Sequence, residues 1–288
     1  MTPPYNYTIR GKTDGFGCQY NAILSGLAFC EHDPDYNYVH TPLRSVSHGW
    51  SNKHKVDELN EFIGIPDGRT GKKIHKAQYR NKTVFGDNRP SVWYDVKTLK
   101  KIRDHYWSTV KPRPCKQDIV VHIRRGDVQP DGNGSDRRKR YTGNEWYRDR
   151  IPWVASMYPE GYTIAIHSEG EMVEFESIME GWPTSLVNRT AWKLGKYWES
   201  DIEFDLKAAF HDMVTAKVLV QSKSAFSYVA AILSEGDVFY YAGNKNGGQR
   251  YPLDNWRVIQ HSSSKYKDGI TYKEIINLIK KDQTHGTY

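Results

Sequence analysis

Between residues 118 and 242, four short apolar runs alternate with four helix-like stretches. The runs are DIVVHI (118–123), YTIAIHS (162–168), KVLVQS (217–222) and DVFYYA (237–242). The helix-like stretches are GNEWYRDRIPWVASMY (143–158), EMVEFESIM (171–179), FDLKAAFHDMVTA (204–216) and SAFSYVAAILSEG (224–236). Strands that are apolar along most of their length and separated by helices belong in a parallel sheet covered on both faces. The second half of the chain therefore reads as a Rossmann-like layer, which takes its ligands at the C-terminal ends of its strands. Pro152 should kink the 143–158 helix or mark its true start.

The first half is less regular. YNYTI (5–9) predicts a strand, GKTDGFG (11–17) a glycine-rich turn, and residues 19–29 a helix with Tyr20, Ile23, Leu24, Leu27 and Ala28 on one face. SVWYDVKTLKKIRDHYW (91–107) predicts a charged amphipathic helix. VKPRPCKQ (110–117), with two prolines, reads as a linker. The expected organisation is an N-terminal domain over residues 1–115 and a C-terminal domain over 116–288, a size suited to two domains.

Composition narrows the partners. The formal net charge of +7 attracts polyanions in general: nucleic acid, phosphorylated small molecules, anionic glycans or membranes. The dense DRRKRY cluster (136–141) reads as a solvated loop. No run approaches the roughly 18–20 apolar residues of a membrane span, and MTPPYNYTIRGKTDG lacks the apolar stretch of a signal peptide. The expectation is a cytoplasmic protein, although a trimmed form of a secreted or Golgi protein would read the same way. Cys18, Cys30 and Cys115 have no metal-ligand spacing and fit reduced thiols.

Three of the predicted strand ends are polar. The first carries His122, Arg124, Arg125 and Asp127; the second His167, Ser168 and Glu169. The third carries Ser222, Lys223, Ser224, Ala225, Phe226 and Ser227, where a helix begins. A helix N-terminus lined with serines suits an anion, and Ser224 is equally an ordinary N-cap. Two adjacent arginines repel one another and lose solvation unless an anion or an acid lies between them. Because successive strand residues point to opposite faces, one arginine is expected to pair inside with Asp127 while the other faces the ligand cleft. A guanidinium fork matches a diphosphate through two parallel hydrogen bonds.

These residues also carry a resemblance. HIRRGD (122–127) resembles the HxRRxD motif of the fucosyltransferase superfamily, the α1,2-, α1,6- and protein O-fucosyltransferases. DGFGCQYNAIL (14–24) is similar to the glycine loop near their N-terminus. FHDMVTAKVLVQSKSAFSYVAAILSEG (210–236) is similar to their last motif. The resemblance implies an α/β fold of two Rossmann-like domains facing a cleft (GT-B-like). It implies an inverting transfer of a sugar from a nucleotide-sugar donor, first guess GDP-fucose, to a glycan acceptor, with no obligatory metal, no cofactor and no nucleic acid. It further implies that Arg124 and Arg125 hold the pyrophosphate and stabilise its departure, that His122 lies beside the nucleotide, and that Asp127 positions the arginines. Ser224, Phe226 and Ser227, with Ser222 and Ala225 beside them, would form the phosphate turn. Gly15, Phe16, Gly17 and Gln19 would form the loop that closes over the diphosphate. His167, Ser168 and Glu169 stand where many members carry Ser-Asp-Asp, and Cys18 stands where Asn is usual.

Inversion asks for a base on the acceptor hydroxyl. Asp131 is the nearest match to an acid found past the motif in some relatives, and Asp14 is the runner-up; both lie in turn sequence, where Asp is commonly structural. A UDP-sugar such as UDP-xylose is the alternative donor. A nucleic-acid or anionic-glycan binding protein without catalysis is the alternative from another class. Asp33-Pro34-Asp35 matches the DxD pattern of metal-dependent glycosyltransferases but lies in a turn after a helix, and Asp201, Glu203 and Asp205 read as a helix start rather than a metal site.

Overall fold

The computed structural model describes residues 5–9, 14–47, 53–68, 73–74, 76–78, 83–84, 87–114, 116–128, 130, 140–195, 206–242, 251–260 and 268–285. The chain forms two compact α/β units, residues 1–112 and 113–288, each built on a parallel sheet. The division falls inside the proline-containing stretch 110–117.

In the first unit, β1 (Tyr5–Ile9) lies between β2 (Tyr36–Tyr38) and β3 (Lys76–Gln78), parallel to both. The described helices around it are α1 (Phe16–His32), α2 (Lys53–Ile63) and α3 (Val96–Trp107). Tyr7 and Ile9 pack with Ala22, Phe29, Tyr36 and Tyr38. Gly26 lets α1 lie close on β1: a Cβ there would stand 2.8 Å from Ile9 Cγ1.

Two boundaries differ from the sequence reading. Helix α1 begins at Phe16, so Phe16 and Gly17 are helical rather than part of a turn. The Gly15 carbonyl accepts from Cys18 and Gln19 N–H at 3.0 and 3.2 Å, and Phe16 is held by Tyr20 and Phe62, with centroids 5.5 and 6.3 Å away. Helix α3 begins at Val96 rather than Ser91, because Asp95 caps it by accepting from Thr98 N–H at 2.8 Å; Pro90–Val92 form a separate 3₁₀ turn.

The described residues of the second unit form six parallel strands: β4 (Ile119–His122), β5 (Ile164–Glu169), β6 (Thr190–Gly195), β7 (Val218–Val220), β8 (Asp237–Ala242) and β9 (Arg257–Gln260). Their spatial order is β6-β5-β4-β7-β8-β9. The chain runs outward from β4 to β6, then returns to the other side of β4 and runs outward again to β9. Strand order therefore reverses between β4 and β7, and ligands in open parallel sheets bind outside the strand ends at such a point. Strands β6 (TAWKLG) and β9 (RVIQ) were not legible, because neither carries a run of more than two apolar residues of the strand-forming kind.

The described helices of this unit are α4 (Asn144–Ala155), α5 (Leu206–Thr215), α6 (Ala225–Leu233) and α7 (Tyr272–His285). Ile119, Val121 and Ile123 pack with Tyr147, Ile151 and Val154 of α4. The alternate β4 residues face the side where α5 packs on that strand. Helix α4 starts at Asn144 and continues through Pro152. The proline lacks an N–H, which frees the Arg148 carbonyl to accept from Trp182 Nε1 at 2.8 Å. The stretch 171–179 is two 3₁₀ turns, Met172–Glu174 and Glu176–Ile178, rather than a short α-helix. Among the described residues no helix is long and apolar enough to cross a membrane.

Candidate functional site

The ends of β4 and β7 meet at the point where strand order reverses. His122 Nδ1 lies 2.8 Å from Ser222 Oγ, and its ring packs against Phe226, 5.7 Å between centroids. Phe226 in turn meets Phe210 of α5 at 5.3 Å. Burial, then the Arg124 cation, then His167, push the His122 imidazole down to about 3, so it is neutral near pH 7. Ser224 caps α6, its Oγ accepting from Phe226 N–H at 3.2 Å. Ser227 is fully buried, and its Oγ accepts from Ser222 N–H at 3.3 Å, which fixes the turn. Ala225 is the first residue of α6.

The two arginines part to opposite faces as strand alternation requires, but their partners differ from expectation. Arg124 shares its face with α5 and α6. Its Nη1 donates to Ser224 Oγ at 3.1 Å, so it bridges the two strand ends, and its Nη2 donates to both Asp127 oxygens at 2.8 Å. The two side chains are 19% and 20% exposed. Gly126, at φ +77°, makes the tight return that brings Asp127 back onto Arg124. Arg124 Nε is buried and makes no hydrogen bond among the described residues.

Arg125 points the other way and is 5% exposed. Its guanidinium lies 4.3 Å from the Tyr141 ring centroid, and within 6 Å of Tyr147 and Phe175. It donates to the Arg124 carbonyl at 3.0 Å and to Asn144 Oδ1 at 2.6 Å. Asn144 donates onward to the Glu174 carbonyl and to Ser177 Oγ. So the arginine paired with Asp127 is the half-open one, and the inward one is held by rings and amide dipoles. A single guanidinium, not two, stands at this strand end on the α6 side.

At the end of β5, Ser168 Oγ donates to the Ile123 carbonyl at 2.9 Å, and Ile123 N–H donates to the His167 carbonyl at 2.9 Å. These bonds lock β5 to β4. His167 is buried, with Nε2 3.1 Å from Asp212 Oδ2, which also takes Lys193 Nζ at 2.7 Å. The sequence reading gave Asp212 and Lys193 no role. The available signal was an acid among the apolar residues of FHDMVTA, because a helical Asp on a buried face needs a partner. Glu169 ends β5 beside Arg124 and Asp127. Burial, with Asp127 adding to it and Arg124 opposing, pushes its carboxyl up to about 7. Lys223, between the two serines, lies 4.7 Å over the Tyr241 ring, and burial lowers its ammonium's proton affinity.

The remaining candidates belong to the first unit or fall outside the described residues. Asp14 Oδ1 accepts from Gly15 N–H at 3.0 Å. Gln19 is 3% exposed, and its amide donates to the Asp14 and Ser45 carbonyls at 2.6 and 2.8 Å. Gly17 and Phe16 are buried in the first turn of α1. Asp33 and Asp35 form a turn, with Asp35 N–H donating to Asp33 Oδ1 at 3.1 Å. Asp131, Asp201, Glu203 and Asp205 lie outside the described residues, as does Cys115. Among the described residues no group of three His, Cys, Asp or Glu side chains could hold a metal ion.

No family model matches the chain, and no curated protein matches it. Two solved structures from E. coli are similar to it over most of its length. One is the heptosyltransferase WaaC with ADP, at 11% identity, covering 95% of this chain and 73% of that one with a TM-score of 0.36. The other is the ADP-heptose lps heptosyltransferase II, at 13% identity, covering 96% and 98% with a TM-score of 0.41. Similarity at this level assigns no substrate, and the residues at the β4–β7 junction carry the functional reading.

Proposed function

We propose that the C-terminal unit binds a nucleoside-diphosphate sugar at the β4–β7 junction, and that the protein is an inverting, metal-independent glycosyltransferase acting on a glycan hydroxyl. GDP-fucose is the first donor to consider and a UDP-sugar such as UDP-xylose the alternative. One observation supports the reading above the rest: Arg124 bridges two strand ends at the N-terminus of α6 while its buried Nε has no hydrogen-bond partner among the described residues. Several buried polar atoms of the described residues lack a partner, and this one is set apart by lying on a cation beside a helix N-terminus, which suits an anionic ligand.

The chemistry follows from charge. As the bond from the sugar carbon to the diphosphate breaks, its electron pair goes to the leaving oxygen. In this reading Arg124 and the N-terminus of α6 stabilise that charge. Neutral His122 packs at the same end without adding a competing charge. The acceptor hydroxyl must lose its proton to a base, and Asp131, then Asp14, remain the proposed candidates.

A thermal-shift panel of GDP, UDP and their sugars tests donor class without knowing the acceptor. A ligand that binds only the folded protein stabilises it by about 2.7 kcal/mol at a hundred times its Kd. At least one nucleotide is expected to raise the melting temperature, and its sugar to release nucleotide on incubation. Stabilisation by heparin or DNA that collapses with salt, with none by nucleotides, would instead establish the polyanion-binding reading.

A further inference from the structure

We propose that Glu169 meets the anionic ligand as a carboxylic acid, so that the C-terminal unit takes up its ligand together with one proton. This rests on the reading of the β4–β7 junction as an anion site and names a further residue of it. The β4–β5 register pairs His122 with His167, and two residues further along on the same face stand Arg124 and Glu169. Arg124 acts on Glu169 through its charge alone, because Asp127 already holds the guanidinium through both oxygens at 2.8 Å. Among the described residues no hydrogen bond reaches the Glu169 carboxyl. A phosphoryl group seated on Arg124 would add a third anion around one cation, and like charges in a partly buried cluster are relieved by protonating the least solvated acid.

The surrounding charges leave Glu169 as that acid. Asp127 is tied to Arg124. Asp212 is occupied by His167 and Lys193. Glu174 Oε1 accepts from Glu171 N–H at 2.9 Å. His122 is held neutral by burial and by Arg124. Before any ligand arrives, Glu169 is balanced near pH 7, its burial and Asp127 raising its proton affinity and Arg124 lowering it. A bound anion adds negative charge beside Glu169, so the proton is held more tightly and the carboxyl O–H can donate a hydrogen bond to a phosphoryl oxygen.

Isothermal titration of GDP-fucose and UDP-xylose tests this between about pH 6 and pH 8, in two buffers of different ionisation heat. A doubly esterified diphosphate has no proton to gain in that range, whereas the terminal phosphate of free GDP titrates near about pH 6 and would obscure the effect. Raising the pH deprotonates Glu169 in the free protein. The Kd of whichever sugar binds is therefore expected to weaken about tenfold from pH 6 to pH 8, with close to one proton taken up at pH 8. Glu169→Gln, which cannot ionise, should show no slope of Kd with pH and no linked proton uptake. The buffer-dependent heat needs only the wild-type protein, so a poorly folding variant does not remove the test. A flat wild-type profile, or a slope retained in Glu169→Gln, would overturn the assignment. Failure of the wild type to bind either sugar at any pH would reject the anion site itself and Glu169's role with it.

Discussion

Arg124→Ala is expected to lose nucleotide-sugar turnover by about 10²–10³-fold, the usual consequence of removing one donor aimed at a developing oxyanion. Ligand affinity should fall by about 1.5–3 kcal/mol, the range for a hydrogen bond to a charged group. The fold should lose less than the site does: the Arg124–Asp127 pair is about one-fifth exposed, so water can reach the Asp127 carboxylate that the substitution leaves unpaired. Removing the guanidinium also frees the Ser224 hydroxyl, which keeps its capping bond to Phe226 N–H. Calorimetric affinity, a turnover assay and a melting curve on one preparation check all three expectations. Retained affinity with a lowered melting temperature would make Arg124 a scaffold residue.

Arg125→Ala should do the reverse, although it is the adjacent residue. The side chain is almost fully buried among Tyr141, Tyr147 and Phe175, and it satisfies Asn144 Oδ1 and the Arg124 carbonyl. Its loss opens a cavity, removes the ring contacts and strands those acceptors, which together should cost about 2–4 kcal/mol. That is a fall of roughly 5–15 °C in melting temperature for a unit of this size. Affinity of the folded fraction for a nucleotide should change only a few-fold. Arg125→Lys should recover little, because an ammonium cannot lie flat between rings while donating from two edges. If Arg125→Ala abolished binding with an unchanged melting curve, two arginines would share the ligand.

The contrast between these neighbours marks where sequence reasoning stops. Alternation along β4 is a local property, so the parting of Arg124 and Arg125 to opposite faces was legible from VVHIRRGD. Which of them would take Asp127 was not, because that depends on the turn at Gly126, whose φ of +77° returns the acid to the Arg124 side. Nor was the aromatic cage of Arg125, since Tyr147 and Phe175 reach it from elements far along the chain. The buried strands β4, β5 and β7 and the α6 cap were legible because burial and capping each leave a fixed pattern. Strand β6 was not, since Lys193 interrupts TAWKLG, and its ammonium is accommodated by Asp212 of α5, a partner visible only in three dimensions. The start of α1 was misplaced because Gly15 and Gly17 suggest a turn. Gly15 instead precedes the helix, and Gln19 ties the entering chain to Ser45.

The most direct test of the account is a crystal structure of the protein with GDP or UDP bound. The account predicts a phosphate oxygen within hydrogen-bond distance of Arg124 Nε, the second phosphate at the first N–H groups of α6, and Arg125 unmoved in its cage of rings. A nucleotide bound elsewhere, with Arg124 still forked on Asp127 and its Nε facing protein alone, would contradict it.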